Sequence, residues 1–284
     1  MLTTVTSIGE LREQLDAARA GGRRVGFVPT MGYLHAGHAS LMAAARTGSD
    51  VVVVSIFVNP LQFAPTEDLA AYPRDLEGDA ALADGEGVDL LFVPTGEEMY
   101  PEGVVRTSVS VGQVSEPLEG RSRPTHFAGV ATVVAKLFAI TGPCTAYFGE
   151  KDFQQVAVIR QMVRDLSIPV DVVACPTLRE PDGLAMSSRN AYLTPEERAA
   201  APVVHAALQM GRADIDAGER DPAKVRALMI DLIGAEPLAE LDYAEVVDAR
   251  TLQVVDPLDG ELRLLAAARF GKARLIDNIA ATAG

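Results

Sequence analysis

Two of the four histidines in this 284-residue chain stand three positions apart, in the run Pro29-Thr30-Met31-Gly32-Tyr33-Leu34-His35-Ala36-Gly37-His38. A strand-like stretch, Arg24 to Val28, precedes them, and a helical pattern follows to about Arg46. This layout puts two imidazoles and several backbone N–H groups at a strand-to-helix turn. Such turns suit phosphate, because a helix start offers unpaired donors and partial positive charge. Gly32 and Gly37 permit close backbone approach to a ligand. Imidazoles there can donate hydrogen bonds to a triphosphate as charge builds at phosphorus. An i,i+3 histidine pair can also chelate a metal, but that needs a third ligand, and no HExxH or Cys/His cluster provides one. The plain alternative is two solvated or core histidines at a turn.

Four further segments carry groups of the same kind. Ser55 to Phe63 begins as a buried strand and ends in amides, which places Asn59 and Gln62 to bond a polar substrate. Asn59-Pro60 is equally a simple turn. Phe148-Gly149-Glu150-Lys151-Asp152-Phe153-Gln154-Gln155 ends a strand at glycine and opens a helix with charge. Lys151 can stabilise phosphate charge there, Asp152 can cap the helix or bind a ribose hydroxyl, and Gln155 falls one turn in. Solvated capping charges explain the same pattern. Ala185-Met186-Ser187-Ser188-Arg189-Asn190 sets two hydroxyls beside an arginine, as a phosphate loop or a polar linker would. Arg121 to Phe127 adds Arg123 and His126, unless it is an exposed basic turn capped by Thr125.

The elements that must position these loops alternate. Strand candidates are Arg24–Val28, Val51–Phe57, Asp89–Val93, Ala146–Gly149 and Val170–Ala174, aliphatic enough to be covered on both faces. Helical stripes lie between, one through Val130, Val134, Leu137 and Thr141, another through Val156, Ile159, Val163 and Leu166. Alternation of this sort predicts βαβ units in a Rossmann-like, doubly wound parallel α/β sheet. The pattern changes after Pro176. Helices open at Thr194-Pro195-Glu196-Glu197 and Asp221-Pro222. Strand-like runs follow at Tyr243–Val247, Leu262–Ala267 and Ala273–Ile276. Residues 1–176 and a smaller α+β domain at 177–284 are the expected division.

The balance of 25 Lys+Arg against 39 Asp+Glu gives a net charge of −14. An acidic chain repels nucleic-acid backbones and anionic membranes, yet local cations still serve a small anion. The longest aliphatic run, Val51 to Val58, is too short to span a bilayer. The N-terminus shows no basic and apolar leader pattern. Cys144 and Cys175 lack metal-like spacing and read as buried reduced thiols. A cytoplasmic protein is expected.

The ordered set PTMGYLHAGH, VSIFVNPLQF, AYPRD, RPTHFAGV, YFGEKDFQQ, DGLAMSSRNAYL and RLIDN closely resembles the pantothenate synthetase (pantoate–β-alanine ligase) family, over nearly the whole chain. The HAGH segment alone would indicate only the wider nucleotidylyltransferase superfamily with its HIGH-type motif. The resemblance implies joining of (R)-pantoate to β-alanine with ATP and Mg²⁺, through a pantoyl adenylate, releasing pyrophosphate and AMP. It implies that Met31, Gly32, Tyr33, Leu34, His35, Ala36, Gly37 and His38 line the ATP site, with His38 as proton donor and His35 as its phosphate-binding companion. Gly149, Glu150, Lys151 and Asp152 would bind ATP, with Lys151 at the phosphates. Leu178 would pack by the adenine, and Met186, Ser187, Ser188 and Arg189 would form a KMSKS-like loop that here has no lysine. Gln62 and Gln155, with Asn59, would bind pantoate, and Arg123 and His126 would close over the second substrate. Asp75 to Asp79 lacks the consecutive acids some members place near the metal. Glu77 or Asp79 could assist Mg²⁺, but no ligand is assigned. A homodimer is implied.

Two competing functions share the motifs. Another adenylyl- or cytidylyltransferase would fit the histidine turn, but Gln62 and Gln155 favour a small hydroxy acid. An RNA-binding synthetase fragment would want a basic surface, which the −14 charge opposes.

Overall fold

The computed structural model describes residues 1–63, 69, 72–103 and 105–284. Ala71 of the AYPRD motif lies outside them. The strands are β1 (Thr3–Val5), β2 (Val25–Thr30), β3 (Val51–Ile56), β4 (Leu90–Phe92), β5 (Cys144–Gly149), β6 (Val170–Cys175), β7 (Glu240–Asp248), β8 (Gly260–Phe270) and β9 (Ala273–Ala283). The helices are α1 (Ile8–Ala20), α2 (Ala36–Gly48), α3 (Leu76–Gly85), α4 (Gly96–Met99), α5 (Glu119–Ser122), α6 (His126–Thr141), α7 (Phe153–Asp165), α8 (Pro195–Ala200), α9 (Val203–Asp216) and α10 (Pro222–Gly234). They form two compact units, one of residues 1–150 and 155–176, the other of 151–154 and 177–284.

In the first unit β1 to β6 make one parallel sheet in the order β1-β4-β3-β2-β5-β6. The Rossmann-like class expected from the alternating pattern is present. β2 and β3 are buried on both faces because alternate residues feed two cores. Val28, Val52 and Val54 pack with Leu41, Met42 and Ala45 of α2 and Ala83 of α3. On the other face Phe27 meets Phe138 of α6 edge to face, 6.5 Å between centroids. β6 departs from the two-faced expectation. It lies at the sheet edge, and its burial alternates, with Asp171 and Val173 exposed. The helical stripe expected to reach Leu166 stops sooner: α7 ends at Asp165 and Leu166 is exposed. The buried face runs through Val156, Ile159 and Met162 instead. β1 has no counterpart among the strand candidates because it is three residues long and two of them are exposed threonines.

Strand order reverses between β2 and β5, which pair in register at Phe27 and Ala146. The carboxyl ends of two such strands flank a crevice in open α/β sheets. The loop leaving β2 carries the histidine pair, and β5 ends at Gly149. Cys175 is buried and Cys144 partly so, and both are free thiols. Burial pushes the Cys144 thiol up to about 12.

The second unit is an antiparallel sheet, β7-β8-β9, covered by α9 and α10. Its core gathers Val204, Leu208, Ile215, Met229, Leu264 and Phe270. The start signals read from the sequence are in place. Thr194 and Glu197 form a reciprocal capping box on α8, and Asp221 accepts from the Ala223 N–H at the start of α10.

Candidate active site

The turn after β2 is held from outside itself. The Thr30 hydroxyl donates to the Ser55 carbonyl at 2.8 Å and accepts from the Gly32 N–H at 3.2 Å. Gly32 has φ +85, and a Cβ there would lie 2.9 Å from an Asp79 oxygen, so only glycine fits. Tyr33 follows at φ +53, which costs a residue with a side chain about 1 kcal/mol. The Asp79 carboxylate of α3 offsets this. It accepts from the Tyr33 N–H at 2.9 Å and the Leu34 N–H at 2.6 Å. Asp79 is only 3% exposed, and burial raises its carboxyl pKa against the lowering effect of those two bonds. Both its oxygens serve the backbone, where the sequence had suggested aid to a metal. Nothing local in the sequence signals this partnership across 45 positions.

His35 is the N-cap of α2. Its Nδ1 accepts from the Gly37 N–H at 3.1 Å, and the His38 Nδ1 accepts in turn from the His35 N–H at 3.3 Å. Two histidines thus fill the reciprocal roles usually taken by a hydroxyl and a glutamate. A ring nitrogen that accepts carries no proton, so each neutral imidazole keeps its proton on Nε2. The rings lie 4.2 Å apart. The turn therefore sets two imidazoles beside a helix start. A chelate would draw on ring lone pairs, and the Nδ1 pair of each ring is already committed.

Asn59 and Gln62 sit beyond β3 in a single 3-10 turn, Pro60–Gln62. The Asn59 amide donates to Gln62 Oε1 at 3.1 Å and to the Gly129 carbonyl at 3.2 Å. Its oxygen accepts from the Tyr100 hydroxyl at 2.8 Å and the Leu61 N–H at 3.3 Å. All four of its bonding positions are used within the protein. Asn59 thus orients Gln62, its neighbour among the residues expected to meet the substrate. Gly129 of α6 makes this possible, since a Cβ there would come within 2.2 Å of the Leu61 carbonyl. The Gln62 amide nitrogen lies 2.9 Å from Met31 Sδ, which joins the amide turn to the histidine turn. His126 Nδ1 is 3.0 Å from the Gln62 carbonyl and the Arg123 guanidinium 3.4 Å from it. These two groups, expected over a second substrate, meet the same turn. Thr125 occupies the N-cap of α6 but makes no side-chain cap bond. Sequence reasoning missed Tyr100, whose hydroxyl burial pushes up to about 12 and keeps neutral. Gly149, Glu150 and Gln155 belong to this unit as well, at the end of β5 and in α7.

The second unit holds the other predicted groups. Lys151 Nζ lies 3.4 Å from Asp152 Oδ1. Leu178 to Met186 is a tight hairpin, closed by Met186 N–H to the Leu178 carbonyl at 3.0 Å and by an Arg179–Ala185 bridge. Ser187 caps the following turn by accepting from the Arg189 N–H at 3.3 Å. Ser188 and Arg189 are half-buried in that turn. Lys151, Ser187, Asn190, His205 and Asp277 line one cavity, which brings these residues together. Asp277 takes both nitrogens of Arg179, at 2.6 and 2.9 Å, and lies 3.5 Å from His205 Nδ1. Burial opposes its ionisation, but the His205 and Arg179 contacts prevail and hold the carboxyl below its usual range.

Among the described residues no group of three His, Cys, Asp or Glu is placed to hold a metal, and no helix is long and apolar enough to cross a membrane. Residues 3–280 match the sequence profile of the pantoate-beta-alanine ligase family. The pantothenate synthetase of Heliobacterium modesticaldum is 55% identical over 275 residues, covering 97% of this chain and 98% of that one. A crystal structure of the Thermus thermophilus pantothenate synthetase is 51% identical, covers 98% of this chain and 99% of its own, and superposes with a TM-score of 0.93. The Francisella tularensis pantoate-beta-alanine ligase, complexed with beta-gamma ATP and beta-alanine, is 35% identical, covers 98% and 97%, and gives a TM-score of 0.81.

Proposed function

Because the chain belongs to the pantoate–β-alanine ligase family, we propose that it joins (R)-pantoate to β-alanine in two displacements driven by ATP. A carboxylate is a poor electrophile, and its oxygen is a poor leaving group. In the first step the pantoate carboxylate attacks the α-phosphorus of ATP, and the bond to pyrophosphate breaks, leaving pantoyl adenylate. In the second the β-alanine amine attacks the acyl carbon, AMP departs with the acyl C–O electrons, and the amine loses a proton. Charge gathers around phosphorus in the first step, so fixed donors should matter more than any protein nucleophile.

The observation that carries this reading is the pair of imidazoles whose Nδ1 atoms accept backbone N–H groups at the start of α2. Their Nε2–H groups supply donors to the phosphates, with His38 the proton donor and His35 its companion. Met31 to His38 and Gly149 to Asp152 cradle ATP, Lys151 adds charge, Leu178 meets the base, and Met186 to Arg189 bind phosphate oxygens. Gln62 and Gln155 take pantoate, Asn59 fixing Gln62. Arg123 and His126 serve the second-substrate side through the same turn. Residues 1–176 act as the ATP- and pantoate-binding domain and 177–284 as the α+β lid. Mg²⁺ carried by the triphosphate would neutralise part of its charge. Asp79 spends one acceptor site of each carboxylate oxygen on backbone, and no step is routed through a protein-held metal. The ligand pair bound by the Francisella tularensis enzyme supports ATP and β-alanine as substrates. The working form is a cytoplasmic homodimer, testable by sedimentation as twice the chain mass.

The test is pyrophosphate release from ATP and Mg²⁺ with pantoate, then AMP release on adding β-alanine. Folded protein without pantoate-dependent pyrophosphate would sink the proposal. His38→Ala and Lys151→Ala should each slow adenylate formation about 10²-fold, the scale of one lost transition-state donor. Gln155→Ala should chiefly raise the pantoate KM.

A further inference from the structure

Lys151 leaves the chain of the first unit for four residues and packs with the second. Two side chains, both more than a hundred residues away, hold it there. Asn278 of β9 is 3% exposed, and its Nδ2 donates to the Lys151 carbonyl at 2.8 Å. Its Oδ1 accepts from Arg263 Nε at 2.7 Å. Arg263 of β8 is 7% exposed, and its guanidinium carbon stands 4.1 Å above the ring of Phe153. Leu265 is the residue opposite Asn278, so Arg263 and Asn278 are diagonal neighbours across the β8–β9 ladder. The ladder thus grips the 151–153 segment twice, once by its backbone and once by its ring.

We propose that Asn278 is a positioning residue for Lys151, fixing the place of the ammonium relative to Ser187 through a bond to the Lys151 carbonyl. The proposal rests on the reading of Lys151 as the phosphate-facing cation. A primary amide offers a donor to a carbonyl and an acceptor to a guanidinium from the two arms of one short side chain. Aspartate would satisfy Arg263 but would set an anion against the Lys151 carbonyl. The preceding residue fastens the other partner. Asp277 binds Arg179, which opens the hairpin leading to Ser187, and Arg179 also donates to the Asn278 carbonyl at 3.3 Å. Consecutive residues of one strand thereby hold the lysine and the hydroxyl loop at a set spacing. Small displacements of a charge at a phosphoryl-transfer site are costly in rate.

The experiment is single-turnover pyrophosphate release at saturating ATP, with pantoate varied up to saturation. It compares the unmodified protein, Asn278→Ala, Lys151→Ala and the double variant. Asn278→Ala should slow adenylate formation about tenfold with the pantoate KM unchanged. In the Lys151→Ala background the same change should alter the rate less than about twofold, because the group it positions is gone. Equal factors in both backgrounds, or an unslowed Asn278→Ala, overturn the proposal. A normal rate for Lys151→Ala removes the reading of Lys151 and this inference with it. A slow Lys151→Ala with additive losses removes only the inference. Should Asn278→Ala fail to fold, Asn278→Asp carries the same test, since it keeps the shape and the acceptor for Arg263 and replaces the donor to the Lys151 carbonyl with an anionic oxygen.

Discussion

Two buried aspartates stand behind the histidine turn and the Ser187 hairpin, and their carboxyls are displaced in opposite directions. Asp79 supports the histidine turn through two neutral N–H groups, and burial wins, raising its pKa. Asp277 supports the Ser187 hairpin through Arg179 and His205, and those partners win over burial, lowering it. The first unit fixes its site with dipoles at a strand–turn–helix junction. The second fixes its site with a charge pair. Neutral support tolerates protonation of its acceptor, whereas an ion pair does not, so the two halves of the chemistry should fail under different insults.

The largest effect that tests this contrast is Asp277→Ala. It leaves the Arg179 guanidinium, 20% exposed, facing a hole, and should lower stability by about 3 kcal/mol in calorimetry. A loss no greater than at Asp79 would break the contrast. Asp79→Ala is next, at about 2 kcal/mol, because it orphans two half-buried donors. It should also slow adenylation, as the strained Tyr33 loses its hold, and a normal pre-steady-state rate would refute that link. The smallest effect is one of sign. The depressed pKa of Asp277 makes its contribution complete above the ordinary carboxyl range and lost as pH falls through the lowered value. The melting deficit of Asp277→Asn should therefore shrink on acidification. The raised pKa of Asp79 reverses this, with the contribution complete below the ordinary range and lost as pH rises through the raised value. The deficit of Asp79→Asn should shrink toward neutrality. Melting curves between about pH 3 and 7 check both, and slopes of the same sign would undo the comparison.

The same contrast divides the features that are legible in the amino-acid order from those that are not. The histidine turn, the helix starts at Thr194 and Asp221, and the aliphatic strands β2, β3 and β5 are written in neighbouring residues, where period and capping chemistry act. β6 misleads because an edge strand and a central strand can be equally rich in valine, and only the missing neighbour strips one face. The Tyr100 partnership of Asn59 is not legible because an amide after a strand looks the same whether or not a distant hydroxyl meets it. Asp79 and Asn278 lie beyond reach. Each acts on backbone atoms 45 to 127 positions away, and a bond to a backbone group leaves no trace in the partner's side chain.

The chain passes between its two units three times, at 150/151, 154/155 and 176/177. A gene cut after Pro176 would therefore not yield a clean half. The fragment would carry Phe153 without the guanidinium that covers it and Lys151 without the amide that anchors it, while the excised strands would lose the segment that Arg263 and Asn278 grip. Circular permutants and domain exchanges with relatives should tolerate a junction only if residues 151–154 come from the same parent as β8 and β9. In that sense the heritable module is a sheet plus four residues borrowed from the middle of the other half.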